Sequence, residues 1–248
     1  MEGCDEEVRS LRPIYGLALT LCLFGDAAQA ETPAVEPAWR QSPPEGVAVG
    51  DLVFRRGQGM WTPYFINMST REKRFSHVGI VARVGGGTAD ILHSDAHETT
   101  GIGCVRVEDW RGFYSNTLEC AVYRYAGPNA ATVIPKFVAK GREKLGVPFD
   151  SAFDLSTDDR LYCTEFIRYA VNEAVGKSLI NPVAINGQAF IPLDEVYRKD
   201  FKKVYDSKAP APRPDPGGPM SPASTNRSRG RRFSPSRPPA PAQPTTNT

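Results

Sequence analysis

No run of apolar residues in this chain approaches the roughly twenty that a membrane-spanning helix requires. The longest, from Ile14 to Phe24, is about half that length. It follows Arg9 and Arg12 and precedes the small-x-small triplet Ala28-Gln29-Ala30. That pattern predicts a secretory signal over residues 1–30, cleaved so that Glu31 becomes the first residue, and hence a periplasmic or secreted protein. The acidic residues Glu2, Asp5, Glu6 and Glu7 are unusual in the opening part of such a signal.

Charge of one sign is also scarce, with 30 Lys and Arg against 28 Asp and Glu. The basic surplus gathers from Lys208 onward, where Lys208, Arg213, Arg227, Arg229, Arg231, Arg232 and Arg237 face the single acid Asp215. The nearly neutral body excludes a basic nucleic-acid-binding core, so no nucleic acid partner is expected. Any anionic partner, an envelope polymer or lipid headgroups, would meet the tail. Residues 208–248 are Pro, Ser, Ala and Arg with almost no large apolar side chains, too little to bury a core. At the other end, residues 31–48 are rich in Pro and Ala and read as an extended linker into a domain over 49–207.

Cysteine and histidine are few, five and three. Loss of the signal removes Cys4 and Cys22 and leaves the odd set Cys104, Cys120 and Cys163. Cys104 and Cys120 have the option of pairing in an oxidising compartment, but spacing does not fix connectivity. The histidines are His77, His93 and His97, so any general base near neutral pH comes from a short choice.

What is present centres on Cys163. Phe166, Ala170 and Ala174, with Ile167 and Val171 beside them, recur at helical spacing, and Gly176 marks a helix end. The thiol therefore falls near a helix N-terminus, where unpaired N–H groups and the macrodipole lower a thiol pKa. Upstream, Gly50 to Phe54 is a turn and a β-rich run. Arg55 to Phe75 lacks periodicity and reads as a long loop, whose Trp61, Tyr64 and Phe65 either line a groove or pack over the core edge. Ser76 to Val84, Gly85-Gly86-Gly87 and Ala89 to Ser94 form a hairpin. A turn centred on Gly86 sets His77 opposite Asp95 and Gly79 opposite His93, so that the two histidines are diagonal neighbours about 7 Å apart on one face. Short strands at Val105–Val107 and Glu119–Tyr125, with a helical turn over Glu108–Ser115 between them, complete a small antiparallel sheet. A helix over Ala130–Leu145 follows, capped by Asn129 and carrying Pro135 in an early turn, and another short helix spans Pro192–Tyr197. The class is α+β.

The pieces Gly50-Asp51-Leu52-Val53-Phe54, Ser76-His77-Val78-Gly79-Ile80-Val81, Gly146-Val147-Pro148-Phe149-Asp150 and Leu161-Tyr162-Cys163-Thr164-Glu165-Phe166, in that order, resemble the circularly permuted papain-like amidases of the YaeF/YiiX type. These belong to the wider NlpC-type hydrolase superfamily. The resemblance covers about residues 49–200 and includes Pro192-Leu193-Asp194-Glu195-Val196-Tyr197. It implies a small antiparallel sheet packed against the cysteine-bearing helix, with the histidine strand ahead of that helix. It implies Cys163 as nucleophile, His77 as general base, and His93 as the polar residue that orients the imidazole, with Asp95 competing for that place. The backbone N–H of Cys163 would be one oxyanion donor and Tyr162 a weaker second. No cofactor is implied.

The implied activity is hydrolysis of an amide through a thioester, and export makes peptidoglycan stem peptides the expected substrate. Relatives often carry a carboxylate where this chain has His93. Two histidines and one cysteine are instead the pattern of lecithin:retinol acyltransferase-like enzymes, so a lipid acyltransferase or esterase is the alternative. Two further readings are a non-catalytic cell-wall-binding module and a zinc site from His93, His97 and Cys104. The i, i+4 spacing of that histidine pair suits a helix, whereas the segment reads as strand end and loop.

Overall fold

A computed structural model of the protein describes residues 36–209. The expected signal and the tail beyond Ala209 lie outside the described residues. In chain order the elements are α1 (Ala38–Gln41), β1 (Leu52–Gly57), α2 (Thr62–Met68), β2 (His77–Gly85), β3 (Thr88–Ala96), β4 (Gly103–Asp109), α3 (Trp110–Phe113), β5 (Thr117–Tyr125), α4 (Ala130–Arg142), α5 (Cys163–Val175), β6 (Val183–Ile185), β7 (Gln188–Phe190), α6 (Leu193–Val196) and β8 (Phe201–Asp206). Six strands form an antiparallel sheet in the order β4-β3-β2-β1-β5-β8, and β6 and β7 make a separate hairpin.

Strand alternation divides the sheet into two apolar faces. Leu52, Phe54, Val78, Ile80 and Leu92 point to one side, where Phe137 of α4 and Phe166, Ile167, Ala170 and Val171 of α5 cover them. Val53, Val81, Ile91 and Val122 point to the other side, onto Trp110, Phe113 and Tyr114. Burying both faces explains why β2 reads as a nearly continuous apolar run.

That second face draws in residues expected to be linker. Trp39 meets the ring of Tyr114 edge-on at 5.6 Å, and its carbonyl accepts the indole N–H of Trp110 at 2.8 Å. Within the expected linker, residues 36–48 thus pack on the second face, through Trp39 and Val47. The expected long loop over 55–75 also contains a helix, α2, started by Pro63 in its first turn. Asn129 stands at the N-cap of α4, but in the left-handed region (φ 56°) and without a side-chain cap bond. Pro135 lies in the second turn of α4. The edge strand β8 has no counterpart in the sequence reading.

No disulfide joins Cys104 and Cys120. Cys104 lies on β4 and Cys120 on β5, with β3, β2 and β1 between them. At about 4.8 Å per strand the separation is roughly 19 Å, far beyond the span of a disulfide.

Candidate active site

The site is built where β2 and β3 part. Their hairpin closes through Gly86 and Gly87, both with positive φ (62° and 76°), the two-residue turn that suits such a connection. The turn thus centres between the two glycines and not on Gly86. A register shift between Val81 and Arg83 absorbs the difference, so that Ile80 pairs with Leu92 as a Gly86-centred turn requires. Beyond Ile80 the two strands make no further ladder pairs among the described residues. Into the opening comes the loop ahead of α5, fixed by the Ser94 hydroxyl donating to the Leu161 carbonyl.

Cys163 is the first residue of α5 and is 1% exposed. Two bonds clamp the helix start to the same residue: Thr164 Oγ1 donates to the Ile191 carbonyl at 2.7 Å, and Ile191 N–H donates to the Tyr162 hydroxyl at 3.1 Å. Backbone N–H groups of Thr164 and Val78 are directed at the sulfur. Burial, reinforced by the nearby negative charge of Asp95, nevertheless pushes the thiol up to about 12. This corrects the expectation of a lowered pKa, because desolvation outweighs the helix N-terminus in a closed site.

His77 opens β2. Its Nε2 lies 2.9 Å from Nδ1 of His93, and the rings meet edge to face at 5.2 Å. Both rings pack on Phe113. Burial holds His77 well below the usual imidazole range, and the positive neighbours Arg55 and Arg106 add to this against the pull of Asp95. The resting pair is therefore a neutral thiol and a neutral imidazole. Since Nε2 of His77 is engaged by His93, Nδ1 is the nitrogen left for the thiol proton.

Beyond His93, its Nε2 lies 3.2 Å from Oε2 of Glu108. Asp95, expected as the competing orienter, points its Oδ2 at Arg55 (3.1 Å) and Arg106 (3.6 Å) and stands 3.9 Å from His93 Nδ1. Burial opposes its charge. The neighbouring His77 and Arg55, with His93 and Arg106 behind them, more than offset this and hold the carboxyl below the ordinary carboxylate range. Arg55 is itself held by the Phe113 carbonyl and lies over the Phe113 ring at 4.8 Å.

Cys163, His77 and Asp95 line one cavity of about 300 Å³. Trp61, Phe65, Phe149 and Phe153 form its aromatic side. Phe153 is in the left-handed region (φ 54°), a position that costs a bulky residue on the order of 1–3 kcal/mol. Tyr64 stacks on its ring at 5.4 Å and Tyr162 meets it edge-on, and these contacts hold it there. Over the mouth, Glu98 ties two loops together. Its carboxylate accepts the Met60 N–H (3.2 Å) and its carbonyl accepts the Trp61 indole N–H (2.9 Å).

The family description "Permuted papain-like amidase enzyme, YaeF/YiiX, C92 family" matches residues 46–196. The chain belongs to this family. A solved structure, described as the metalloprotein YiiX from Escherichia coli O157:H7, is similar in fold with a TM-score of 0.52 and 17% identity. The match covers 63% of this chain and 96% of that one. No curated protein matches.

Within this permuted papain-like frame, the structure brings Cys163, His77, His93 and Asp95 together and leaves Tyr162 apart. The Tyr162 side chain is fully buried, stacked on Phe190 at 5.4 Å with its hydroxyl spent on Ile191. As the residue preceding α5 it anchors the helix and does not reach the cavity, which corrects its expected oxyanion role. His97 is an exposed loop residue on the cavity rim. Among the described residues, neither His97 nor Cys104 belongs to a group placed to hold a metal, so the zinc reading from these residues has no geometry behind it. Glu108, Arg55 and Arg106 were missed. The sequence signal for Glu108 is the alternation on β4, where apolar Val105 and Val107 send Cys104, Arg106 and Glu108 to the opposite face.

Proposed function

We propose that this permuted papain-like protein is a thiol hydrolase in which Cys163 is the nucleophile, His77 the general base and His93 the residue that orients it. The observation that carries the reading is the 2.9 Å contact between Nε2 of His77, which lines the same cavity as Cys163, and Nδ1 of the fully buried His93. An idle binding module has no use for a buried, mutually oriented imidazole pair beside a thiol. Cys163 Sγ attacks the substrate carbonyl carbon while its proton passes to His77 Nδ1. The backbone N–H of Cys163, unpaired at the helix start, faces the developing oxyanion. Collapse transfers the proton to the leaving amine, and water then hydrolyses the thioester by the same route in reverse.

His77, His93 and Asp95 also present atoms within 4.8 Å of one another, a spacing that a metal ion would accept. A dication there would sit against the guanidinium groups of Arg55 and Arg106, which already face the Asp95 oxygen. The donors are of the right kind, but with two guanidinium groups already on the carboxylate the site fits a metal poorly, and although the YiiX structure is described as a metalloprotein, the proposed mechanism does not use one.

The same reading includes export through residues 1–30, stem peptides of peptidoglycan as the amide substrate, and contact of the basic tail with anionic envelope polymer or lipid headgroups. A second reading, acyl transfer or ester hydrolysis on lipid, is favoured by the aromatic side of the cavity, where Trp61 is 43% exposed, and by the neighbouring Met60, 62% exposed. Incubation with matched peptide amides and acyl esters, followed by acid quench and intact-mass analysis, separates the two. An amide-derived acyl adduct on Cys163, absent from Cys163→Ala, is the expected result. An adduct from esters alone assigns the second reading, and no adduct from either removes the nucleophile assignment.

A further inference from the structure

We propose that Glu108 is a positioning residue: it selects the tautomer of His93 and, through it, places the proton on His77 Nε2. The proposal rests on the reading of His77 as general base.

The 2.9 Å contact between His77 Nε2 and His93 Nδ1 admits two arrangements, because a neutral imidazole carries one N–H and one lone pair. In the first, His77 Nε2–H donates to His93 Nδ1, leaving His77 Nδ1 bare and able to accept a proton. In the second, His93 Nδ1–H donates to His77 Nε2. The proton of His77 then sits on Nδ1, and the ring cannot act as a base there. Nothing within the pair distinguishes the two.

The far side of His93 does. Its Nε2 faces Oε2 of Glu108 at 3.2 Å, and neither atom has a hydrogen-bond partner elsewhere or a fully formed one in this contact. In the first arrangement Nε2 carries a proton toward a carboxylate. In the second a lone pair meets a carboxylate oxygen inside a fully buried ring environment, which is repulsive. Glu108 thus favours the first. The contact lies off the ring N–H axis, short of a full hydrogen bond, as is common in resting catalytic sites. Asp95 does not serve in its place, since it is 3.9 Å from Nδ1, the other nitrogen, and is occupied by Arg55.

Position on the sheet makes Glu108 suited to this work. Arg106 pairs directly with His93 and Glu108 pairs with Ile91, so Glu108 is the diagonal neighbour of His93 on the same face of β3 and β4. Against the opposing effect of its partial burial, Glu108 is held below the ordinary carboxylate range first by His93 and then by Arg106, which stands 3.8 Å from its other oxygen. When His77 takes the thiol proton at Nδ1, the positive charge is shared along a line of groups that ends on this carboxylate.

Nitrogen-15 NMR of the whole protein reads the tautomers directly, and with three histidines in the chain the spectrum is assignable by single substitution. Wild type is expected to show His93 protonated at Nε2 and His77 protonated at Nε2. Glu108→Ala should shift both rings toward the opposite tautomer and lower kcat by about 10- to 100-fold, the range for loss of an outer partner of a functional histidine, with KM unchanged. Glu108→Gln keeps a carbonyl oxygen that accepts from Nε2–H, so it should retain the wild-type tautomers and recover most of the rate. If wild-type His93 carries its proton at Nδ1, or if Glu108→Ala leaves both tautomers in place, the proposal is wrong, whatever happens to stability. The tautomers are read without substrate, so a correct tautomer pattern with an inert Cys163 overturns the hydrolase reading and leaves the role of Glu108 standing.

Discussion

Gly79 provides the space that His93 fills. A Cβ at Gly79 would lie 3.2 Å from His93 Cβ and only 2.5 Å from Ile91 Cγ2, with the Leu92 carbonyl oxygen at 3.0 Å. The last contact is with backbone, which cannot rotate away, and β3 would have to retreat from β2 at the point where the two imidazoles meet. Overpacking of this kind costs about 1–3 kcal/mol. Gly79→Ala is expected to lower stability by that amount in urea unfolding and to lose turnover beyond what the remaining folded fraction explains. Wild-type turnover per folded molecule would mean that β3 tolerates the displacement.

A second prediction concerns the thiol. Because burial first and Asp95 second push Cys163 up to about 12, the thiolate fraction grows about tenfold per pH unit across the neutral range. Alkylation by iodoacetamide should therefore climb steadily from pH 6 to 9 with no acid-side plateau. A plateau reaching below pH 6 would reveal a preformed thiolate–imidazolium pair. Asp95→Asn removes a negative charge facing the sulfur and should raise the rate at every pH.

How far the site could be read from residues alone depends on how local each relationship is. The helix at Cys163, the hairpin and the two histidines follow from periods of 3.6 and 2 and from a glycine turn, all within a few residues of one another. The expected facing of His77 and Asp95, Gly79 and His93, agrees with the register at Ile80 and Leu92, yet it arose from a turn centre that the structure does not have. The shift at Ala82 compensated, and nothing in the local sequence announces it. What escaped the reading was long-range: Trp39 filling the second face, β8 adding an edge, and Glu108 reaching His93 from the next strand. The thiol pKa was misjudged for a related reason. A helix N-terminus is visible in sequence, whereas burial depends on loops that close over it from elsewhere in the chain.

Those closing loops give a third prediction. Glu98 joins the β1–α2 loop to the β3–β4 loop through one side-chain and one backbone hydrogen bond. Removing the carboxylate frees the Met60 N–H and costs the closed state about 1 kcal/mol, which corresponds to about a fivefold rise in the open population. Glu98→Ala should speed alkylation of Cys163 by about that factor at fixed pH while leaving that of Cys120, buried on the second face, unchanged. Equal acceleration at both cysteines would point to general loosening, and no acceleration would place the entrance elsewhere.

The last prediction follows from Glu165, two residues along α5 from the nucleophile. Its residue surface is 2% exposed, one oxygen accepts the Tyr162 N–H at 3.4 Å, and the other has no partner. Burial, with Asp150 and Asp158 adding to it against the Tyr162 N–H and Arg168, raises this carboxyl to about 8. In the unfolded chain it titrates near 4.3. Between those values the folded state binds more protons than the unfolded one, so stability falls as pH rises, and the contribution is fully present only below the unfolded value. Each pH unit of separation is worth about 1.4 kcal/mol. Glu165→Gln mimics the protonated form and can still accept from Tyr162. Buried neutral His77 makes the stability of both proteins rise with pH, so the readout is the difference: the urea midpoint of wild type relative to that of Glu165→Gln should fall from pH 4 to 8, with the two proteins alike near pH 4. Parallel lines across that range would show that Glu165 is ionised in the fold, with a cation or water on the second oxygen. A difference that instead grows in favour of wild type as pH rises would reverse the sign and refute the assignment outright.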